Sequence, residues 1–219
     1  MPVFFKGNLM KKIFILLLCI FSYHASSDER QPYTAEDREP CSIYVEDRMP
    51  LFGDLHVHTA LSLDAHTQGT LNTPDDAYRY AKGQSLFLQP YKEDGTSSRI
   101  SKLKQPLDFA AVTDHAELLG EVRLCTDPES QKYNSLQCKT YRNFPKLSYF
   151  YMNAKASMRK PLGICGENRE NCLDAAQLPW QETIDAAEQH YDRSETCQFS
   201  TFVGYEWTGA VYSGNNLHR

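Results

Sequence analysis

The sequence predicts an α/β fold built on a parallel sheet. Two observations carry this expectation. Strand-like and helix-like segments alternate along the chain, and polar residues gather at the carboxyl ends of the predicted strands, where such folds place their sites. No internal repeat points to a solenoid or propeller. The 219 residues suffice for one large domain or two small ones, and a hydrophobic share of 41% with 12% aromatics supports a sizeable core.

Residues 1–27 read as an export signal: Lys11 and Lys12 precede the apolar run Ile13–Phe21, and Ala25-Ser26-Ser27 supplies small residues before a cleavage point near Asp28. Met10 is a fitting start for such a signal. The run is far short of the roughly 20 apolar residues that span a bilayer, so no stable membrane anchor is expected after cleavage. A secreted or periplasmic location follows. Residues 28–47 are a polar lead-in with Pro32 and Pro40, and residues 48–219 form the main domain.

Within that domain Leu51–His58 is the expected first core strand, followed by a loop over Thr59–Asn72. Thr73-Pro74-Asp75-Asp76 combines a capping hydroxyl, proline at the first helical position and acids in the first turn, so a helix starts there and closes at Gly83. Gln84–Gln105 is polar and reads as an excursion from the core. Leu107–Val112 is a second buried strand ending in Thr113-Asp114-His115, and Ala116–Leu124 is helical in character. A cysteine-bearing helical insertion, about residues 120–198, holds one helix near Lys146–Met158 and another over Gln181–Tyr191, the latter from the spacing of Trp180, Ile184, Ala187 and Tyr191. Phe199–Trp207 is a third strand, and a fourth begins near Ala210.

Outside the leader stand six cysteines: Cys41, Cys125, Cys138, Cys165, Cys172 and Cys197. An even number in an exported chain fits disulfides, with Cys125/Cys138 and Cys165/Cys172 as natural local pairs because each closes a short loop. A cysteine zinc site is the rival, but no C-x-x-C spacing is present. The formal charge of −5 becomes more negative once Lys6, Lys11 and Lys12 of the leader are discounted. No basic block is present, which argues against a nucleic-acid partner. No glycine loop for phosphate and no basic groove is legible either. A small phosphorylated partner stays compatible with the charge if bound cations supply the positive field.

Three clusters carry chemistry: Gly53-Asp54-Leu55-His56-Val57-His58-Thr59 with Asp64; Thr113-Asp114-His115; and Gly204-Tyr205-Glu206-Trp207. Histidines at i and i+2 on a strand project from one face and can reach one cation while Val57 packs on the other. Imidazoles with the carboxylates of Asp64 and Glu206 suit zinc, manganese or iron. A pair of satisfied core histidines is the plain alternative. Against it, each of three strands ends in metal-competent residues. Asp54 counts as a further supporting carboxylate on the histidine face, Glu117 as a first-turn helix acid, and His66 and His190 as surface residues.

The motifs G-D-L-H-V-H-T, A-V-T-D-H-A-E, G-Y-E-W-T-G and N-L-H-R together resemble the PHP superfamily, the polymerase and histidinol phosphatase phosphoesterases, in an exported and mostly uncharacterised branch. The resemblance covers about residues 50–219. It implies a distorted (β/α)7 barrel with up to three divalent ions (manganese, zinc or iron) and hydrolysis of a phosphoester. His56, His58 and Glu206 would ligate one metal, Asp64 and His115 a neighbouring one, and His218 a third position shared with Glu206. His218, or a later histidine beyond this sequence, would also serve the leaving group, and Asp114 would orient a ligand. The family's later ligands, a histidine and an Asp-x-His, would fall beyond Arg219. On this resemblance the chain is therefore expected to be the N-terminal part of an incomplete barrel, partnered by the missing C-terminal part. Two readings compete with an active enzyme: a non-catalytic metal-binding remnant, and a disulfide-stapled extracytoplasmic binding domain.

Overall fold

The structure, a computed structural model, describes residues 40–42, 46–210 and 216–218, and the side chains of those up to residue 209. The expected leader, its start at Met10 and most of the lead-in lie outside the described residues.

Three parallel strands form the central sheet: β1 (Gly53–Val57), β4 (Phe109–Val112) and β5 (Ser200–Val203), in the order β1-β4-β5. Gly53 pairs with Phe109, and Phe109–Val112 runs residue for residue against Ser200–Val203. Between β1 and β4 come α1 (Leu63–Thr67), α2 (Pro74–Ala81) and an antiparallel pair, β2 (Leu86–Leu88) with β3 (Arg99–Ser101). Between β4 and β5 come α3 (Leu119–Thr126), α4 (Leu136–Asn143), α5 (Pro145–Ser157) and α6 (Glu170–His190). After β5, β6 (Thr208–Ala210) pairs antiparallel with β7 (Asn216–His218). The α/β class with a parallel sheet is as expected, and no described helix is long and apolar enough to cross a membrane.

Helix α2 starts where the sequence says it should. The Thr73 hydroxyl accepts from the Asp76 N–H, and the Asp76 carboxylate accepts from the Thr73 N–H, a reciprocal cap with Pro74 at the first position. Gly83 at φ +83° ends it, a conformation in which a side chain would be strained. On one side of the sheet Ala110 and Val112 pack with Tyr78 and Ala81 of α2, Ala186 and Ala187 of α6, and Phe199. A second core joins α3, α4, α5 and the start of α6 around Val122, Tyr141, Met152 and Ile164. There α3 approaches α6 so closely that a Cβ on Gly120 would lie 1.8 Å from the Cys172 carbonyl oxygen.

Several expectations need correction. β1 stands at one edge of the described sheet instead of in its middle, and Leu55 is 57% exposed while Val57 is partly buried against the core. The expected loop Thr59–Asn72 contains α1, and the polar excursion contains the β2–β3 pair. The cysteine-bearing stretch holds α4 as well as α5, and α6 begins at Glu170 rather than near Gln181, running through the buried Pro179. The third strand ends at Val203, and β6 begins at Thr208 rather than near Ala210.

Disulfides join Cys125 to Cys138 and Cys165 to Cys172, the two local pairs, and Cys41 to Cys197, which ties the lead-in to the approach of β5. Ser42 reinforces the last link by donating its N–H to the Glu195 carbonyl at 2.8 Å.

The fully buried Tyr78 joins helix to sheet, its hydroxyl accepting from the Val112 N–H and donating to the Phe202 carbonyl, both at 3.2 Å. Replacing Tyr78 by Phe leaves a buried N–H without its acceptor, at a cost of about 1–3 kcal/mol. Urea unfolding should register that loss, and an unchanged midpoint would show that the hydroxyl bridge contributes nothing to stability.

Candidate metal centre

The parallel ladder continues past the strand ends and there assembles the site. Thr113 N–H donates to the Val57 carbonyl at 2.8 Å, Glu206 N–H to Asp114 at 3.0 Å, and Ala116 N–H to Glu206 at 3.1 Å. Residues 58, 115 and 206, each just beyond a strand, are thereby held side by side. Asp114 secures the first of them from behind. This buried carboxylate accepts both the Thr59 N–H and, at 2.7 Å, the Thr59 hydroxyl, so it fixes the residue next to His58. Burial pushes the Asp114 carboxyl up to about 6 against those two hydrogen bonds. With both oxygens accepting from Thr59, Asp114 braces the loop that follows β1.

Five side chains converge in front of this frame. Nε2 of His56 and Nε2 of His58 lie 2.8 Å and 2.7 Å from the same oxygen of Glu206. The other ring nitrogen of His58 lies 2.9 Å from Asp64, and His115 Nε2 lies 3.7 Å from that same Asp64 oxygen. Two sets of three donors result, His56/His58/Glu206 and His58/Asp64/His115, each with its ligand atoms within 4.8 Å of one another. α1 exists to deliver Asp64: its first turn places the carboxylate under His58, where it also accepts the Ala65 N–H at 2.7 Å. Two nitrogen donors with a carboxylate in one set, and the same in the other, fit a first-row divalent cation, whose bonds to such donors are about 2.0–2.2 Å.

His58 is the shared member. Burial acts to lower its pKa, but the Asp64 and Glu206 carboxylates outweigh it and raise the imidazole to about 9. Burial acts to raise Asp64, and hydrogen bonds from His58, Ser62 and the Ala65 N–H hold it far below the usual carboxylate range. Two residues frame His115. The Thr208 hydroxyl sits 3.0 Å from its Nδ1, and Glu117 lies 3.7 Å from the same nitrogen while accepting the Thr208 N–H.

The expected ligands His56, His58, Asp64, His115 and Glu206 are therefore brought together. The register of β7 sets His218 opposite Thr208, and the role expected of the His218 side chain lies outside the described residues. Asp54 is spent locally, accepting the His56 N–H at 2.9 Å. A ladder irregularity between Asp54 and Val57 breaks the simple alternation that put Asp54 on the histidine face. Glu117 was read only as a helix acid. Its position two residues after His115 was the one available signal that it belongs at the site. His66 and His190 are not surface residues. His66 is half-buried against the Tyr141 hydroxyl at 2.8 Å, and His190 is buried and paired with Asp75 at 2.8 Å. A third donor group, Glu121 with Cys165 and Cys172, offers no thiolate because the two sulfurs are bonded to each other.

A family model described as "Protein of unknown function (DUF3604)" matches residues 45–219. The chain belongs to the DUF3604 family. No curated protein and no solved structure gives a significant match. In DUF3604 terms, the matched region contains the whole sheet and all five convergent side chains.

Because the folded His58 pKa stands above its ordinary value of 6.5, the stabilisation it gives the metal-free chain is complete below about pH 6.5 and is lost as pH rises through about 9. Thermal unfolding of the metal-free protein should fall over that window, and the fall should shrink in His58→Gln. An identical fall in both proteins would refute the assignment of that proton to His58.

Proposed function

We propose that this DUF3604 chain is an exported, metal-dependent hydrolase, a phosphoesterase of the PHP type. The observation that carries the reading is the convergence of three histidines and two carboxylates on the carboxyl ends of three parallel strands. Further support comes from the sheet itself. Its strands follow one another in sequential order with the packed helices on one side, while the other side keeps Phe202 51% exposed beside Phe109. That is how a (β/α) barrel begins, with the uncovered side becoming the interior once further strands close the ring. Three disulfides suit an oxidising compartment and so a secreted or periplasmic setting.

On this reading His56, His58 and Glu206 would hold one divalent ion, manganese, zinc or iron, and Asp64 and His115, with His58 within reach, would hold a second. Such ions supply a water of lowered pKa and neutralise charge on the phosphate. The chain's own residues do the rest. Glu206 sets the spacing between the two sites, since its backbone is locked to Asp114 and Ala116. Thr208 and Glu117 fix the His115 ring. His218, whose backbone pairs with Thr208, would donate the proton to the leaving oxygen as the phosphorus–oxygen bond breaks and a water oxygen bonds to phosphorus.

The test is elemental analysis and phosphate release on the whole chain after loading with manganese, zinc or iron. The wild type should retain metal and hydrolyse a simple aryl phosphate. His58→Ala should lose the metal, and His218→Ala should turn over at least about tenfold more slowly, the lower end of what a positioned proton donor contributes. A folded wild type that takes up no metal would overturn the reading in favour of a disulfide-stapled binding domain. Metal uptake without turnover of any phosphoester would make it a metal-binding protein.

A further inference from the structure

A cavity of about 430 Å³ adjoins the metal centre and shares Glu117 and Thr208 with it. Its volume lies within the range that encloses a small organic ligand, roughly 300–1,000 Å³. Four cationic side chains line it, Lys155, Arg159, Lys160 and Arg169, brought from the end of α5 and from the segment leading into α6. Met152, Leu162 and Trp207 supply an apolar wall. The acids facing the same space are already engaged. Glu117 accepts the Thr208 N–H, and Glu121 is buried against Arg169, 3.4 Å away, and the Cys165 sulfur, which as half of a disulfide has no proton to give.

Among the described residues, neither Arg159 nor Lys160 makes an ion pair, and Lys155 has only the Tyr151 ring, at 5.8 Å. A half-apolar cavity with more cations than anions, in a chain whose overall charge is negative, is arranged for a ligand that is both organic and anionic. This corrects the expectation that no basic groove exists: the cations are spread over residues 155–169 with no run long enough to notice.

The geometry points to this cavity as an organic-anion subsite of the metal centre, taking an apolar body that ends in a carboxylate, sulfonate or second phosphate. Resting on the phosphoesterase reading, that body is the leaving group of the substrate, seated beside His115 with its anionic end on Lys155, Arg159 and Lys160. Esters of neutral alcohols then bind less well than esters whose alcohol carries a negative charge.

Two measurements on the whole chain test this separately from turnover. The first compares binding of 1-naphthalenesulfonate with that of neutral 1-naphthol, by calorimetry on metal-free protein. The sulfonate should bind at least about tenfold more tightly, and Arg159→Ala/Lys160→Ala should erase most of that preference, the scale expected for one or two charge-assisted contacts. Both residues are exposed, so the variant is expected to fold, which its thermal unfolding would verify. Equal binding of the two probes, or an unaltered preference in the variant, would overturn the subsite. The second compares 4-carboxyphenyl phosphate with phenyl phosphate on metal-loaded protein. A higher kcat/KM for the carboxylated ester, carried by KM and lost in the variant, supports the leaving-group placement. Equal kcat/KM values would overturn that placement. Sulfonate preference with no turnover of either ester keeps the anion subsite and overturns the phosphoesterase reading.

Discussion

Everything at the reactive end of this protein depends on backbone hydrogen bonds that continue beyond the strands proper. Parallel strands in register have their carboxyl ends at one level, and the links from Thr113 to Val57, from Glu206 to Asp114 and from Ala116 to Glu206 carry that alignment one to three residues further. Without them His58, His115 and Glu206 would sit on three independent loops. With them the side chains inherit the spacing of the sheet, about 4.8 Å between neighbouring strands, which is the spacing at which imidazoles and carboxylates from adjacent strands can share an ion. His58 and His115 illustrate it, with ring centroids 4.7 Å apart.

That alignment concentrates like groups, and the local chemistry accommodates them unequally. Two carboxylates and three imidazoles stand within touching distance, and His58 faces an acid at each ring nitrogen, which raises its pKa against the effect of burial. Asp114, one residue from His115, is engaged by the Thr59 N–H and hydroxyl. A buried acid is here used as a bracket for the loop that follows β1. The division between groups that bind and groups that brace follows from which carboxylate oxygens already have a backbone donor.

Much of the site was legible because it rests on the shortest period in protein structure. Histidines two apart on a strand, and strands ending in T-D-H or Y-E-W, survive in the sequence as local patterns. What escaped detection lacked a period. α1 has five residues, too few to show a stripe, and α4 buries little beyond Cys138 and Tyr141. The first half of α6 was hidden by Pro179, which reads as a boundary although burial of the helix face outweighs the lost hydrogen bond. β1 looked like core because Leu51, Phe52 and Leu55 are apolar. Exposure there depends on which side the helices cover, and no single segment records that. The cationic cavity escaped for a similar reason, since it forms where α5 and the approach to α6 meet.

The Cys165–Cys172 bond encloses Arg169 in a short loop, and Cys125–Cys138 clamps the helical layer from which α5 projects Lys155. Of the five convergent side chains, His56 lies on β1, His58, His115 and Glu206 follow strands of the sheet, and Asp64 comes from α1. The side chains at the strand ends are thus aligned mainly by backbone hydrogen bonds, whereas the helical layer beside them is cross-linked covalently at two places.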